Sequence, residues 1–161
     1  MLRGFAIAAL VIGTTLFAWQ TLPAMAPAAG IPVERLREEA ARGAVRYLTA
    51  PLPEWLPLPA SGRVSVAGDY APQPPYGAAI SITLVIDEPA LDFAAAYSAM
   101  LGAAGYRVRR VVPPFDFTFA SDAALDAYDP KSGRYVVCVL RHSRAARFAQ
   151  ITFWEAPAPR L

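Results

Sequence analysis

The stretch Ala78-Ala79-Ile80-Ser81-Ile82-Thr83-Leu84-Val85-Ile86, followed at once by Asp87-Glu88-Pro89, decides the fold class of this chain. Ile80, Ile82, Leu84 and Ile86 recur at every second position, with Ser81 and Thr83 between them. Successive strand side chains point to opposite faces, so this alternation predicts a strand with one apolar face. The period then changes. Two acids and a proline form a helix start signal, and Phe93, Tyr97, Met100, Leu101 and Ala104 share one stripe at helical spacing. Gly105 supplies the stop, because glycine enters the left-handed backbone region at little cost.

Toward the carboxyl end, Tyr106–Val112 alternates again, and Arg110 interrupts its inward set, which marks an edge strand or one that ends early. After Pro113-Pro114, Phe115, Phe117 and Phe119 alternate with Asp116 and Thr118. Ser121–Tyr128 fits either a short helix or a strand. Asp129-Pro130-Lys131-Ser132-Gly133 has turn chemistry. Tyr135–Leu140 is apolar on both faces, as a central strand requires. His142–Arg147 then reads as a loop and Phe148–Trp154 as the strand that closes the sheet.

Toward the amino end, Arg63–Tyr70 alternates and forms a long-loop hairpin with the Ala78–Ile86 strand. Ala50–Gly62 holds Pro51, Pro53, Pro57 and Pro59, which exclude helix and favour an extended path. Leu52, Trp55, Leu56 and Leu58 lie between these prolines and predict packing against the domain. Only Pro72 and Pro75, in the next loop, fall in PxxP register. Val33–Leu48 reads as an amphipathic helix with a stripe of Val33, Leu36, Ala40, Ala44, Tyr47 and Leu48. Glu38 and Arg42 lie four apart on it, in the favourable orientation.

The expected fold is α+β: a two-layer sandwich in which an antiparallel sheet of about five to six strands carries one or two helices on one face. An N-terminal signal or anchor helix precedes it. The expected divisions are 1–28 for that segment, 29–62 for the amphipathic helix and Pro-rich segment, and 63–161 for the α+β domain.

From Gly4 to Val33 there is no charged residue, and Arg3 stands before the apolar run. A positive start, an apolar middle and small residues at Ala24, Ala26 and Ala28 describe a secretory signal. Cleavage after Ala28 avoids a proline just past the cut. The alternative is an uncleaved anchor, since residues 4–22 as a helix span about 28 Å and so associate with a membrane. Both readings place the rest of the chain in the periplasm or another extracytoplasmic space. The single cysteine, Cys138, excludes an internal disulfide framework.

The chain of 161 residues carries a formal charge of +2. Residues 29–100 hold five basic and eight acidic groups, and residues 101–161 nine and five. That mild polarity lacks the dense basic field of a nucleic-acid binder. Cys138 and His142 are too far apart along one strand, about 13 Å, for thiol chemistry. One histidine and one cysteine make no zinc cage, and no metal or other cofactor is implied. Asp122, Asp126 and Asp129 share a face only if their segment is helical.

The remaining chemistry is basic. Arg141, His142, Arg144 and Arg147 crowd one hairpin, and Arg107 and Arg109 lie on another strand. Brought together, they form a candidate site for an anion, because guanidinium forks match phosphate and carboxylate. The leading functional expectation is a non-catalytic exported cell-envelope domain that acts by contact with an envelope protein or surface. A small-ligand or lipid-binding module with an arginine-lined mouth is the alternative. An exported hydrolase drawing on Asp116, Asp122, Asp126 and His142 ranks third.

Overall fold

The computed structural model describes residues 30–71, 77–113 and 120–155. The signal or anchor at 1–28, the Phe115–Phe119 alternation with Asp116, the PxxP loop and the tail 156–161 lie outside the described residues. Among the described residues, no helix is long and apolar enough to cross a membrane.

The fold is α+β. Among the described residues, seven strands form one antiparallel sheet: β1 (Ile31–Pro32), β2 (Arg63–Tyr70), β3 (Ala79–Ile86), β4 (Arg107–Val111), β5 (Ala120–Tyr128), β6 (Tyr135–His142) and β7 (Arg147–Trp154). Their order across the sheet is β1-β2-β3-β7-β6-β5-β4. The strand count exceeds the expected five to six. The shortest strand is the two-residue β1, which pairs with Val64 and Arg63. Gly30 lets the chain come this close, because a Cβ there would sit 2.9 Å from the Val64 carbonyl oxygen.

Among the described residues, two α-helices accompany the sheet, α1 (Leu36–Ala41) and α2 (Ala90–Ala103). The expected helix over 33–48 is thus cut short. It begins as a 3₁₀ turn at Val33–Arg35 and ends where Gly43 takes φ 69°. Gly43 N–H donates to the Ala40 carbonyl and Ala44 N–H to that of Glu39, so two end carbonyls are satisfied by the reversal. Val33, Leu36 and Ala40 are buried as the stripe predicts. Beyond the break Val45 turns inward, and Tyr47 leaves the stripe to bridge Gly68 at the free edge of β2.

Helix α2 starts and stops where the sequence places it. Gly105 at φ 93° ends it, with its N–H on the Gly102 carbonyl and the Tyr106 N–H on that of Leu101. Ala90, Phe93, Ala94, Tyr97 and Leu101 point into the core, over β4, β5 and β6. The segment 121–128, open between helix and strand, is strand. The Pro-rich segment packs inward through Leu52 and Leu56. Arg37 holds it there by donating to the carbonyls of Pro53 (2.6 Å), Glu54 (3.2 Å) and Leu56 (2.7 Å).

Strand β7 corrects the expectation that it closes the sheet. It is the middle strand, between β3 and β6. Ala149, Ile151 and Phe153 face the helices with Ile82, Leu84, Cys138 and Leu140. Gln150 and Thr152 resemble the outward set of an edge strand, yet both are buried. They belong to the second face of the sheet, which holds all the buried polar or charged residues among the described ones: Ser81, Thr83, Asp126, Arg141, Gln150 and Thr152.

Candidate functional site

The end of the β6–β7 hairpin and the first turn of α2 enclose an open cleft of about 820 Å³. Its parts are brought together by three local rules. The hairpin reverses through Ser143–Ala146, where Ser143 N–H donates to the Ala146 carbonyl and Ser143 Oγ accepts from the Ala145 and Ala146 amides. Strand pairing sets His142 opposite Arg147. A bulge in β5 leaves Asp122 as the extra residue between Ser121, which faces Arg141, and Ala123, which faces Leu140. Bulges re-aim the side chain they insert. Here the Asp122 Oδ1 lies 2.8 Å from His142 Nδ1.

A carboxylate on Nδ1 orients an imidazole and leaves Nε2 for another partner. A catalytic pair of this kind also needs a nucleophile in reach. Ser143 is next in sequence, but its hydroxyl is committed to the hairpin turn. Cys138 lies on the buried core face, fully enclosed, and burial pushes its thiol far above the ordinary range. We therefore expect Cys138 to resist an aromatic disulfide reagent in the native protein and to react only at the rate of unfolding. Fast labelling without denaturant would contradict this placement.

The candidate basic residues separate. His142, Arg144 and Arg147 line the cleft. Arg147 donates to the Asp87 carbonyl at 3.4 Å, while Arg144 is exposed and makes no ion pair with a described residue. Arg141 is buried on the opposite face, 2% exposed. Arg107 and Arg109 lie on the edge strand β4, where Arg109 is paired with Asp126. The arginines of β4 and those of the hairpin are thus not one patch.

The aspartates scatter too. Asp122 faces the cleft, Asp126 lies on the second face, and Asp129 holds the β5–β6 turn by accepting from the Lys131 amide and the Ser132 hydroxyl. Those bonds lower the Asp129 carboxyl below its usual value.

Sequence reading missed the Asp122–His142 pair as a unit. Twenty positions separate its members, and nothing in the residues announces the bulge that joins them. It also missed the acids that share the cleft, Asp87 and Asp92. No family model, curated protein or solved structure matches this chain.

Proposed function

We propose that the chain is a non-catalytic domain on the outer side of the cytoplasmic membrane, acting through contact with an envelope protein. The cleft between the β6–β7 hairpin and α2 is its contact surface. The observation that carries this reading is the makeup of the cleft. Three aspartates, two arginines and His142 share an open concave surface with Leu91, which is 58% exposed. Mixed charge around an exposed apolar anchor suits a polypeptide with its own mixed charge better than a small anion. The export half of the reading rests on the uncharged apolar run behind Arg3.

The second reading, a small-ligand or lipid module with a basic mouth, draws support from exposed Arg144 beside Arg147 in the cleft. The space between α2 and the sheet is filled by Phe93, Tyr97, Leu101, Leu125 and Ile151. A ligand of this kind would therefore sit in the end cleft, where Asp87, Asp92 and Asp122 oppose an anion.

A photo-crosslinking residue at Leu91, with exposed Lys131 in the β5–β6 turn at the opposite end of the sheet as the remote control, tests the contact in intact cells. One discrete, saturable adduct is expected from position 91, and Arg144→Glu abolishes it. The same adduct from position 131, or none from 91, refutes the contact surface. A reporter enzyme active only outside the cytoplasm, fused after Gly62, tests export separately, and an inactive fusion removes that half.

A further inference from the structure

At the other end of the sheet, a second pocket of about 510 Å³ opens between the Pro-rich segment and the ends of β2, β3 and β7. Its floor is Ile80 and Phe153, and its wall runs from Leu48 to Trp55. Tyr70 and Ala79 complete the lining at the strand ends. The volume lies within the range of small-molecule sites, roughly 300–1,000 Å³, and the lining is mainly apolar, as such sites are.

Among the described residues, the charged groups that line it are both acids, Asp69 and Glu155, and no basic residue lines it. They differ in what holds them. Asp69 is fixed by Thr49, whose amide donates to Oδ1 at 3.0 Å and whose hydroxyl donates to Oδ2. Burial raises the Asp69 carboxyl, but these bonds outweigh it and leave it below the usual value, so it stays ionised at neutral pH. Glu155 follows β7 directly, is exposed, and makes no side-chain hydrogen bond or ion pair with a described residue.

The wall is held from behind. Arg37 grips the carbonyls of Pro53, Glu54 and Leu56, and the Arg134 guanidinium lies 4.4 Å from the centre of the Trp55 ring. The pocket is therefore supported by contacts outside itself.

From this arrangement we infer that the pocket binds an organic cation with an apolar body, such as a substituted ammonium ion. The apolar part lies on Ile80, Phe153 and Leu48. The cationic centre lies toward Glu155 and Asp69, which pairs with Ile80 and so shares the face of the floor. Aromatic faces and carboxylates both attract a weakly hydrated cation, and both disfavour an anion of the same shape. The inference does not depend on the contact surface proposed at the opposite end.

Calorimetric titration of the full chain with benzyltrimethylammonium tests it, with benzyl alcohol and benzoate as the neutral and anionic counterparts. Saturable binding of the cation is expected, weaker binding of the alcohol, and none of benzoate. Glu155→Gln should weaken the cation by about threefold to fivefold, the size of one exposed charge contact. Trp55→Leu should weaken cation and alcohol alike, and its thermal midpoint shows whether the wall still folds. Equal binding of alcohol and cation, or an unchanged affinity in Glu155→Gln, would overturn the inference. Absence of saturable cation binding in the folded protein would also overturn it.

Discussion

Replacing Phe93 by alanine is expected to lower the stability of the folded chain by about 3–5 kcal/mol. Phe93 is 2% exposed and is among the largest fully enclosed side chains. Its ring lies 5.9 Å, centre to centre, from that of Tyr97, and both reach from α2 into the core over β4, β5 and β6. The other buried residues in the first half of that helix are Ala90 and Ala94, too small to collapse into the space left behind. The cost thus combines lost transfer energy with a cavity that stays open. Domains of this size hold about 5–15 kcal/mol in total, so a large share of it rests on one ring. Denaturant unfolding checks this, with the midpoint falling and the slope unchanged. Tyr97→Phe is the calibrating comparison. It removes only the hydroxyl that donates to the Pro57 carbonyl at 3.0 Å, and should cost about 1 kcal/mol. If the two variants fall together, α2 is not anchored as described.

Arg109→Ala is the second change expected to be costly, at about 2–3 kcal/mol. Arg109 and Asp126 face each other across β4 and β5, and Nε (2.9 Å) and Nη2 (2.6 Å) both donate to Asp126 Oδ2. The pair is lopsided: the arginine side chain is 58% exposed and the aspartate 5%. Deleting the exposed partner therefore strands the buried one. Water entering along the vacated edge offsets part of that penalty, which keeps the expected loss below that of a fully enclosed pair. The Tyr135 phenol is raised first by burial and then by the Asp126 charge, so it stays neutral and adds no second negative charge beside the carboxylate. The double variant Arg109→Leu, Asp126→Leu should recover most of the loss, because no charge is then left enclosed. A thermal midpoint unchanged in the single variant would show that the pair contributes nothing.

Much of this architecture is written in local chemistry. The alternation from Ile80 to Ile86, the stripe after Pro89 and the glycine at 105 each bias one element, and each element forms there. The double-faced run at 135–140 is a strand enclosed on both sides. Local chemistry fails where distance decides. Gly43 lies inside the expected Val33–Leu48 helix, yet it takes the left-handed conformation that ends the helix. Residues 121–128 lack a decisive period because Asp122 is an extra residue in a bulge and Asp126 points to a buried second face. The candidate basic cluster was half legible. His142, Arg144 and Arg147 lie within six positions and one hairpin gathers them, whereas the partners of Arg109 and His142 are chosen by strand register.

The placement of β7 also constrains how the molecule is made. Its residues form both seams of the sheet, against β3 on one side and β6 on the other. A ribosome delivers them after the other six strands of this sheet. Until then the nascent polypeptide holds two unjoined half-sheets, with the apolar flanks of β3 and β6 bare and ready to associate with other chains. A product truncated before residue 147 lacks both seams and should aggregate instead of persisting as a smaller native unit. Joining is late and sequence-distant, with Ile82 meeting Ile151, which makes folding slow and lengthens the time the chain can still be threaded or bound by a chaperone.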